Sequence, residues 1–452
     1  MSRLVDRRIF LIAIIAFFVH VALQFVVIPA VSASVSPYYN QDRPSDGYYE
    51  LAVNLAAGKG YRFYADTAQT LMREPGYPLL LAGLFRVFGV SFAIVKLTNI
   101  ILTILTAWVT LCISDKLHRD SGFGRPWFRF IPPLLLLTYP GTLVAESRGG
   151  VEVIFGLLLA LFLPTVYSAI ESNRSRDYLL SGLVLGLTVL VRGTPMLLPA
   201  FLFFYLLFFV SPRLPWITVF RNIGCMITVM LIVLSPWIMR NYSLTGKVVP
   251  SASVLGVSAQ AGQYIGEHQF DGKPWWLLDR LAARERDKAA SDLGLRFADG
   301  SEGYYQTFYK SSDEVEFSTY LFHQVADAYR HTPLLFVRCV SQNILNFWIA
   351  GKTWTATAVN ALIQAPYLLL GLIGIWQWLR SGRFRMIAPL LLCIGYLMAI
   401  HIVILAQARY SIPLIPQLSI LASTGLSAVL NRISRDRTTP AFHAAPVSAN
   451  PH

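Results

Sequence analysis

The sequence predicts an all-α polytopic membrane protein with about ten spanning helices, up to thirteen at most, and three observations support the membrane class. Of the 452 residues, 55% are apolar and only 14% are charged, against roughly 25% charged in an ordinary soluble domain. The apolar residues gather into runs of about 18–25, enough to cross a ~30 Å hydrocarbon layer at ~1.5 Å per residue. Arginines cluster at the ends of those runs, as the positive-inside rule requires. This composition excludes a cytosolic enzyme and a disordered binder. The formal net charge of +13 fits that arginine bias and anionic lipid heads, and nucleic acid is not expected as a partner. Cys112, Cys225, Cys339 and Cys393 lie in or beside apolar runs without CxxC spacing, so they support neither a metal site nor a disulfide framework.

The first span is expected at 9–30, longer than a signal-peptide core, so a retained helix is read there. Arg3, Arg7 and Arg8 would hold its start in the cytoplasm. A mixed first external loop follows over 31–90. Within it the run 76–89 is too short and broken to span comfortably. Further spans are expected at 91–114, 130–145, 151–170, 178–191, 195–211 and 222–239, giving a transmembrane module over 1–239. The segment 240–331 reads as an external, mostly helical domain, because residues 250–330 carry 12 Asp and Glu against 8 Lys and Arg. Within it LAARERDKAA (281–290) has surface-helix composition. A second module, 332–431, begins with an ambiguous run at 332–350. Read as interfacial or re-entrant, it puts Arg380, Arg383 and Arg385 in the cytoplasm and leaves spans at 356–378, 386–406 and 410–430. Residues 432–452 read as a disordered cytoplasmic tail.

With that topology the unusual polar residues collect on the outer side. Asp42 and Asp46 lie in the first loop, and Glu146, Arg148 and Glu152 lie in the turn before the fourth span. Arg192 and Arg240 stand at external span ends, and His401, Gln407 and Arg409 surround the last external turn. Ionisable groups near membrane depth are costly and usually pair or serve a function. Acids and arginines on one face suggest a cavity that suits group transfer from a lipid-linked phosphate. Preorganised arginines would stabilise the leaving phosphate, and one aspartate would serve as general base. A one-step attack of that kind inverts the anomeric centre. Asp46 also has a plainer reading, as N-cap of the helix that starts DGYYELAVNLAA.

At this point the motifs DGYYELAVNLAAGKGY (46–61) and REPGYPLLLAGLFRVFG (73–89) resemble the GT-C superfamily of polyprenyl-phosphate-sugar-dependent glycosyltransferases. The likeness is to bacterial relatives of protein O-mannosyltransferases and of the lipid A aminoarabinose transferase. GLVLGLTVLVRGTPMLLP (182–199), SPWIMRNYSLTGKVVP (235–250) and QARYSIPLIPQLSILA (407–422) resemble later family blocks in the same order. The resemblance implies Asp46 as catalytic base and Arg409 as the arginine on the lipid phosphate. Glu152 stands where relatives carry an acid and is implied as a second catalytic residue, preferred to its competitor Glu146 because it begins the apolar run. Arg240, Arg192 and Arg73 are implied as helpers on donor or loop, and Tyr49 and Tyr77 of the matching first-loop motif are implied with them in substrate or donor binding.

The implied activity is hexosyl transfer, of mannose or a related sugar, from a polyprenyl-phosphate donor to a glycan or lipid acceptor. It would occur on the periplasmic face of the plasma (inner) membrane, among membrane lipids. Asp46 is followed by Gly47 rather than by the Glu of protein mannosyltransferases. The chain also ends soon after its last span. Both features turn the expectation away from a protein acceptor. No cofactor is required, although some superfamily members use a divalent cation. The rival classes are a secondary transporter and a non-catalytic component of polysaccharide assembly. The transporter is disfavoured by the lack of an internal repeat and by charges gathered at one face.

Overall fold

The computed structural model describes residues 7–35, 46–121, 126–210, 215–298 and 307–438. Asp42, Arg3 and the 439–452 tail lie outside them. The chain is helical, and among the described residues the only extended pairing is the isolated bridge between Phe297 and Phe308.

Among the described residues eighteen α-helices follow in order. The first four are α1 (Arg7–Ala22), α2 (Ile28–Val35), α3 (Tyr48–Ala56) and α4 (Gly76–Phe88). Next come α5 (Phe92–Ser121), α6 (Ile131–Leu137), α7 (Pro140–Ser147), α8 (Glu152–Ser172), α9 (Ser175–Val191), α10 (Leu198–Phe209) and α11 (Trp216–Thr245). Then α12 (Leu255–His268), α13 (Trp275–Asp292), α14 (Ser311–His331) and α15 (Pro333–Ile349) precede α16 (Trp354–Arg380), α17 (Ala388–Ile404) and α18 (Ile415–Thr438).

Among the described residues six segments can cross a membrane by length and composition: Ile9–Val31, Phe92–Ser121, Glu152–Ser172, Trp216–Thr245, Trp354–Arg380 and Ala408–Ile433. They coincide with six of the ten expected spans, and the other four are broken or shorter helices. The segment read as one span at 130–145 is broken. Trp127–Leu137 and Pro140–Ser147 meet at 45°, because Pro140 has no N–H to continue the ladder and restricts Tyr139 to an extended backbone. Taken as one bent span, the pair makes a seventh. The segments expected at 178–191, 195–211 and 386–406 form α9, α10 and α17, which have 17, 12 and 17 residues, at or below the short end of the range of about 17–25 for a crossing helix.

The ambiguous run 332–350 is α15, absent from the six long apolar segments. Its buried stripe is partly polar. Asn343 donates to the Ile402 carbonyl at 3.0 Å, and Asn346 and Gln269 exchange amide hydrogen bonds at 2.9 and 3.2 Å. Leu334 and Leu345 stay exposed.

The first span is continuous through a π turn at Leu23–Val27, a local winding that usually marks a functional or packing demand. Here the demand is polar. The His20 ring lies 3.0 Å from Glu146, and the Gln24 amide donates to the same carboxylate and to the Leu143 carbonyl, both at 2.9 Å. A buried carboxylate needs such partners. Glu146 is therefore occupied in tying the first span to α7.

Close helix contacts are made through glycine, as expected where lipid tails leave dispersion to drive packing. A Cβ on Gly425 of α18 would stand 1.9 Å from the Leu370 carbonyl of α16, and one on Gly374 would stand 2.0 Å from the Leu421 carbonyl. Helix α12 does the same on three sides. Its Gly256, Gly262 and Gly266 meet the Ser318 carbonyl of α14, the Ile404 carbonyl at the end of α17, and Cys339 of α15. Those contacts bring the α12–α14 unit down onto the ends of the apolar helices, where the candidate site lies.

A methyl group at Gly425 has nowhere to go, and overpacking of this kind costs about 1–3 kcal/mol. Gly425→Ala should lower the melting temperature in detergent by several degrees. Gly224→Ala on α11, where nothing lies within 4 Å, should leave it unchanged or raise it slightly. Differential scanning fluorimetry of the two purified variants checks both.

Candidate active site

The first loop turns on two consecutive left-handed residues, Asp46 at φ 70° and Gly47 at φ 75°. Glycine takes this conformation freely, whereas aspartate is among the few side chains that tolerate it. Gly47 caps α3 and no side chain accepts from the helix end, so Asp46 is not the N-cap that the sequence allowed. Its carboxylate is turned instead to Arg409, whose Nη1 donates to Oδ2 at 2.6 Å. Arg73 fixes the backbone beneath it by donating from Nε to the Asp46 carbonyl at 3.0 Å. Burial opposes ionisation of Asp46. The guanidinium groups of Arg409, Arg73 and Arg192 outweigh it and hold the carboxyl below the usual carboxylate range.

The segment carrying Arg73 is itself braced. The Tyr61 hydroxyl lies 3.0 and 2.9 Å from the carbonyls of Arg73 and Glu74 and donates to them. Arg240 donates to the Thr70 carbonyl at 2.9 Å and to Gln69 Oε1 at 3.1 Å, and it stacks on Trp237 and Tyr61. From α14, Glu314 Oε2 accepts from the Leu71 amide at 2.8 Å and from the Ser253 hydroxyl at 3.3 Å. Burial dominates at Glu314 and pushes its carboxyl up to about 7.

Opposite the first loop, α9 ends at Arg192. Its guanidinium sits over the Tyr410 ring at 4.6 Å and the Phe155 ring at 5.8 Å, 3.9 Å from Glu152 Oε1. The turn that follows is held by α17, for the Tyr396 hydroxyl donates to the Thr194 carbonyl at 2.6 Å and accepts from the Leu197 amide at 3.2 Å. The His401 ring stacks on Tyr410 at 4.3 Å.

These elements enclose a cavity of about 450 Å³. Asp46, Arg73, Arg192 and Arg409 line it with Glu74, Tyr48, Ser251, Ser258, Tyr396, His401 and Tyr410, while Met196, Leu197, Leu255, Ile400 and Ile404 give it an apolar wall. Charge and hydrocarbon thus share one space, as an amphiphilic ligand would require.

The other residues singled out in the sequence are placed elsewhere. Glu152 is buried behind Arg192 beside Thr103 and Thr142, off the cavity surface. Arg240 is spent on the Thr70 and Gln69 contacts, which keep it out of the lining. Tyr49 of α3 packs on Phe85 of α4 and Phe92 of α5, and the buried Tyr77 of α4 donates to Asn99 Oδ1 of α5 at 3.0 Å, so the two tie α3, α4 and α5 together outside the cavity. Glu74 was missed. It sits inside the REPGYP motif, and only its distant partners Gly193 and Ser251 reveal that it is a cavity carboxylate.

For a divalent cation the donor set is poor. Asp46 is engaged by Arg409 and Glu74 by Gly193 and Ser251, and no group of three or more His, Cys, Asp or Glu with metal-holding geometry occurs among the described residues. No step below runs through a metal.

Residues 72–239, under half of the chain, match the family model described as dolichyl-phosphate-mannose-protein mannosyltransferase. No match was found among curated proteins. Among solved structures, the chain is similar to the archaeal oligosaccharyltransferase AglB from Archaeoglobus fulgidus, in complex with an inhibitory peptide and a dolichol-phosphate. The identity is 14%, with a TM-score of 0.52, over 98% of this chain and 52% of that one. A second Archaeoglobus fulgidus oligosaccharyltransferase structure, a complex with Zn and sulfate, gives 14% and 0.51 over 94% and 49%. The chain thus spans about half the length of these structures and shares their fold. ArnT from Cupriavidus metallidurans, bound to undecaprenyl phosphate, is similar at 13% identity over 94% of this chain and 78% of that one, with a TM-score of 0.40.

Because the Glu314 carboxyl is raised in the folded protein to about 7 from an ordinary 4.5, the folded state takes up more protons than the unfolded one between those values. Stability should therefore fall as pH rises from about 4.5 to about 7 and level off above. Glu314→Gln should flatten that part of the profile, as read from chemical denaturation across the pH series.

Proposed function

We propose that this chain is a GT-C-type membrane glycosyltransferase. It moves a hexose-type sugar, mannose or a related one, from a polyprenyl-phosphate donor to a hydroxyl of a glycan or lipid acceptor. The observation that carries the reading is the placing of Asp46 against Arg409, beside Arg73 and Arg192, in a cavity with an apolar wall. The family match over 72–239 and the fold likeness to a protein in complex with a dolichol-phosphate support the donor class.

In the reaction the acceptor oxygen attacks the anomeric carbon while its proton passes to an Asp46 carboxylate oxygen. The bond from the anomeric carbon to the phosphate oxygen breaks, and that electron pair leaves on polyprenyl phosphate. One displacement inverts the centre. The depressed carboxyl of Asp46 keeps the base ionised at neutral pH. Arg409 can offer a phosphate a fork of N–H donors, with Arg192 adding charge across the cavity, where a low dielectric strengthens both. Arg73 acts by holding the Asp46 backbone, and Glu152 acts through Arg192. Arg240, Tyr49 and Tyr77 fix the loop and helices that carry them. The proposed setting is the plasma (inner) membrane, with the cavity open to the periplasm.

Asparagine is nearly the size of aspartate and tolerates the left-handed backbone at position 46, so it removes the base without straining the loop. Membranes containing wild-type or Asp46→Asn protein would be supplied with radiolabelled polyprenyl-phosphate sugars, and labelled products identified by mass spectrometry. The wild type should transfer label and the variant should lose at least nine-tenths of that activity at equal expression. Residual turnover above a tenth would remove Asp46 as the sole base.

A further inference from the structure

We propose that Glu74, with Ser251 and the turn at Gly193, forms the subsite that binds the hydroxyl groups of the transferred sugar. This rests on the donor class proposed above. Glu74 is 7% exposed and lines the cavity. Two hydrogen bonds to its side chain reach one oxygen, since the Gly193 amide donates to Oε1 at 2.7 Å and the Ser251 hydroxyl at 2.9 Å. An ionised carboxylate only accepts, and its two oxygens offer about four lone-pair sites. The bonds at Oε1 orient the group and leave Oε2 to a donor from a ligand.

Charge decides which part of the ligand that is. The ionisable lining divides into Arg73, Arg192 and Arg409 on one side of the balance and Asp46 and Glu74 on the other, with His401 between Tyr410 and the Leu405 carbonyl. A phosphate is repelled by Glu74 and drawn to Arg409 and Arg192. A sugar is rich in O–H donors, which is what a second, acceptor-only carboxylate requires. The subsite is also built closely. A Cβ at position 193 would fall 1.9 Å from Ser251 Oγ and 3.0 Å from Glu74 Oε1, so glycine there lets the amide reach the carboxylate. The backbone carbonyl of Glu74 is held separately by Tyr61, which leaves the side chain to its own task.

The test compares two lipids on the full-length purified protein: polyprenyl-phosphate mannose and sugar-free polyprenyl phosphate, each titrated calorimetrically. Glu74→Gln keeps one oxygen for Gly193 and Ser251 and replaces the other acceptor with an amide donor. It should weaken the mannosyl lipid about tenfold and change the sugar-free lipid less than twofold, with an unchanged melting temperature. Equal changes for both lipids, or none for either, overturn the subsite, and so does a wild type that binds the mannosyl lipid no better than the bare one. An effect confined to acceptor KM in turnover would place the acceptor there and likewise overturn it. Failure of the wild type to bind either lipid sinks the donor class and the subsite with it. Should Glu74→Gln not fold, Ser251→Ala is read with the same pair of lipids and should weaken only the mannosyl one.

Discussion

The Asp46–Arg409 ion pair joins residues 363 positions apart at 2.6 Å, and much of the fold can be read as what is needed to form it. Asp46 reaches Arg409 only because it and Gly47 adopt left-handed backbone in succession. That turn survives because Arg73 holds the Asp46 carbonyl, and Arg73 is placed by Tyr61, Arg240 and Glu314 acting on the same loop. On the other side, Arg409 begins the segment that enters α18. Its neighbour Ala408 donates to the Ala350 carbonyl at 3.0 Å, so the end of α15 sets where the arginine stands. Charged groups of this kind at the edge of hydrocarbon are stable only when paired.

The pair also gives the proposed chemistry a sequence of events. While Arg409 is bound to Asp46, the base is held in its ionised form by neighbouring positive charge and is correspondingly weak. A phosphate arriving beside Arg409 competes with Asp46 for the same donors and adds negative charge nearby. Each effect raises the proton affinity of Asp46. The donor would thereby strengthen the base that its own transfer requires. Glu74, oriented by Gly193 and Ser251, would then serve the sugar.

How much of this could be read from the chain depended on the range of each interaction. Apolar runs and flanking arginines are local, and they gave the membrane class and the positions of the apolar segments. Motifs pointed to Asp46, Arg73, Arg192 and Arg409, which the fold brings around one cavity. The break between α6 and α7 was missed because an apolar run masked the effect of Pro140. Glu152 was preferred to Glu146 because it begins an apolar run, but the partners that fix their roles are distant in sequence, Arg192 in one case and His20 and Gln24 of the first span in the other. Arg240 resembled a ligand-binding arginine until the carbonyl of Thr70 was found beneath it. Glu74 carried no local signal at all, because Ser251 and Gly193 come from segments more than a hundred residues away.

The central claim is that Asp46 and a lipid phosphate compete for Arg409. Binding of sugar-free polyprenyl phosphate to the wild type and to Asp46→Asn tests it most directly, by isothermal titration in one detergent at one salt concentration. Removing the competing carboxylate should lower Kd several-fold even though the variant cannot perform the transfer. A Kd that rises instead would mean that Asp46 positions Arg409 for the phosphate rather than competing with it, and would contradict the claim.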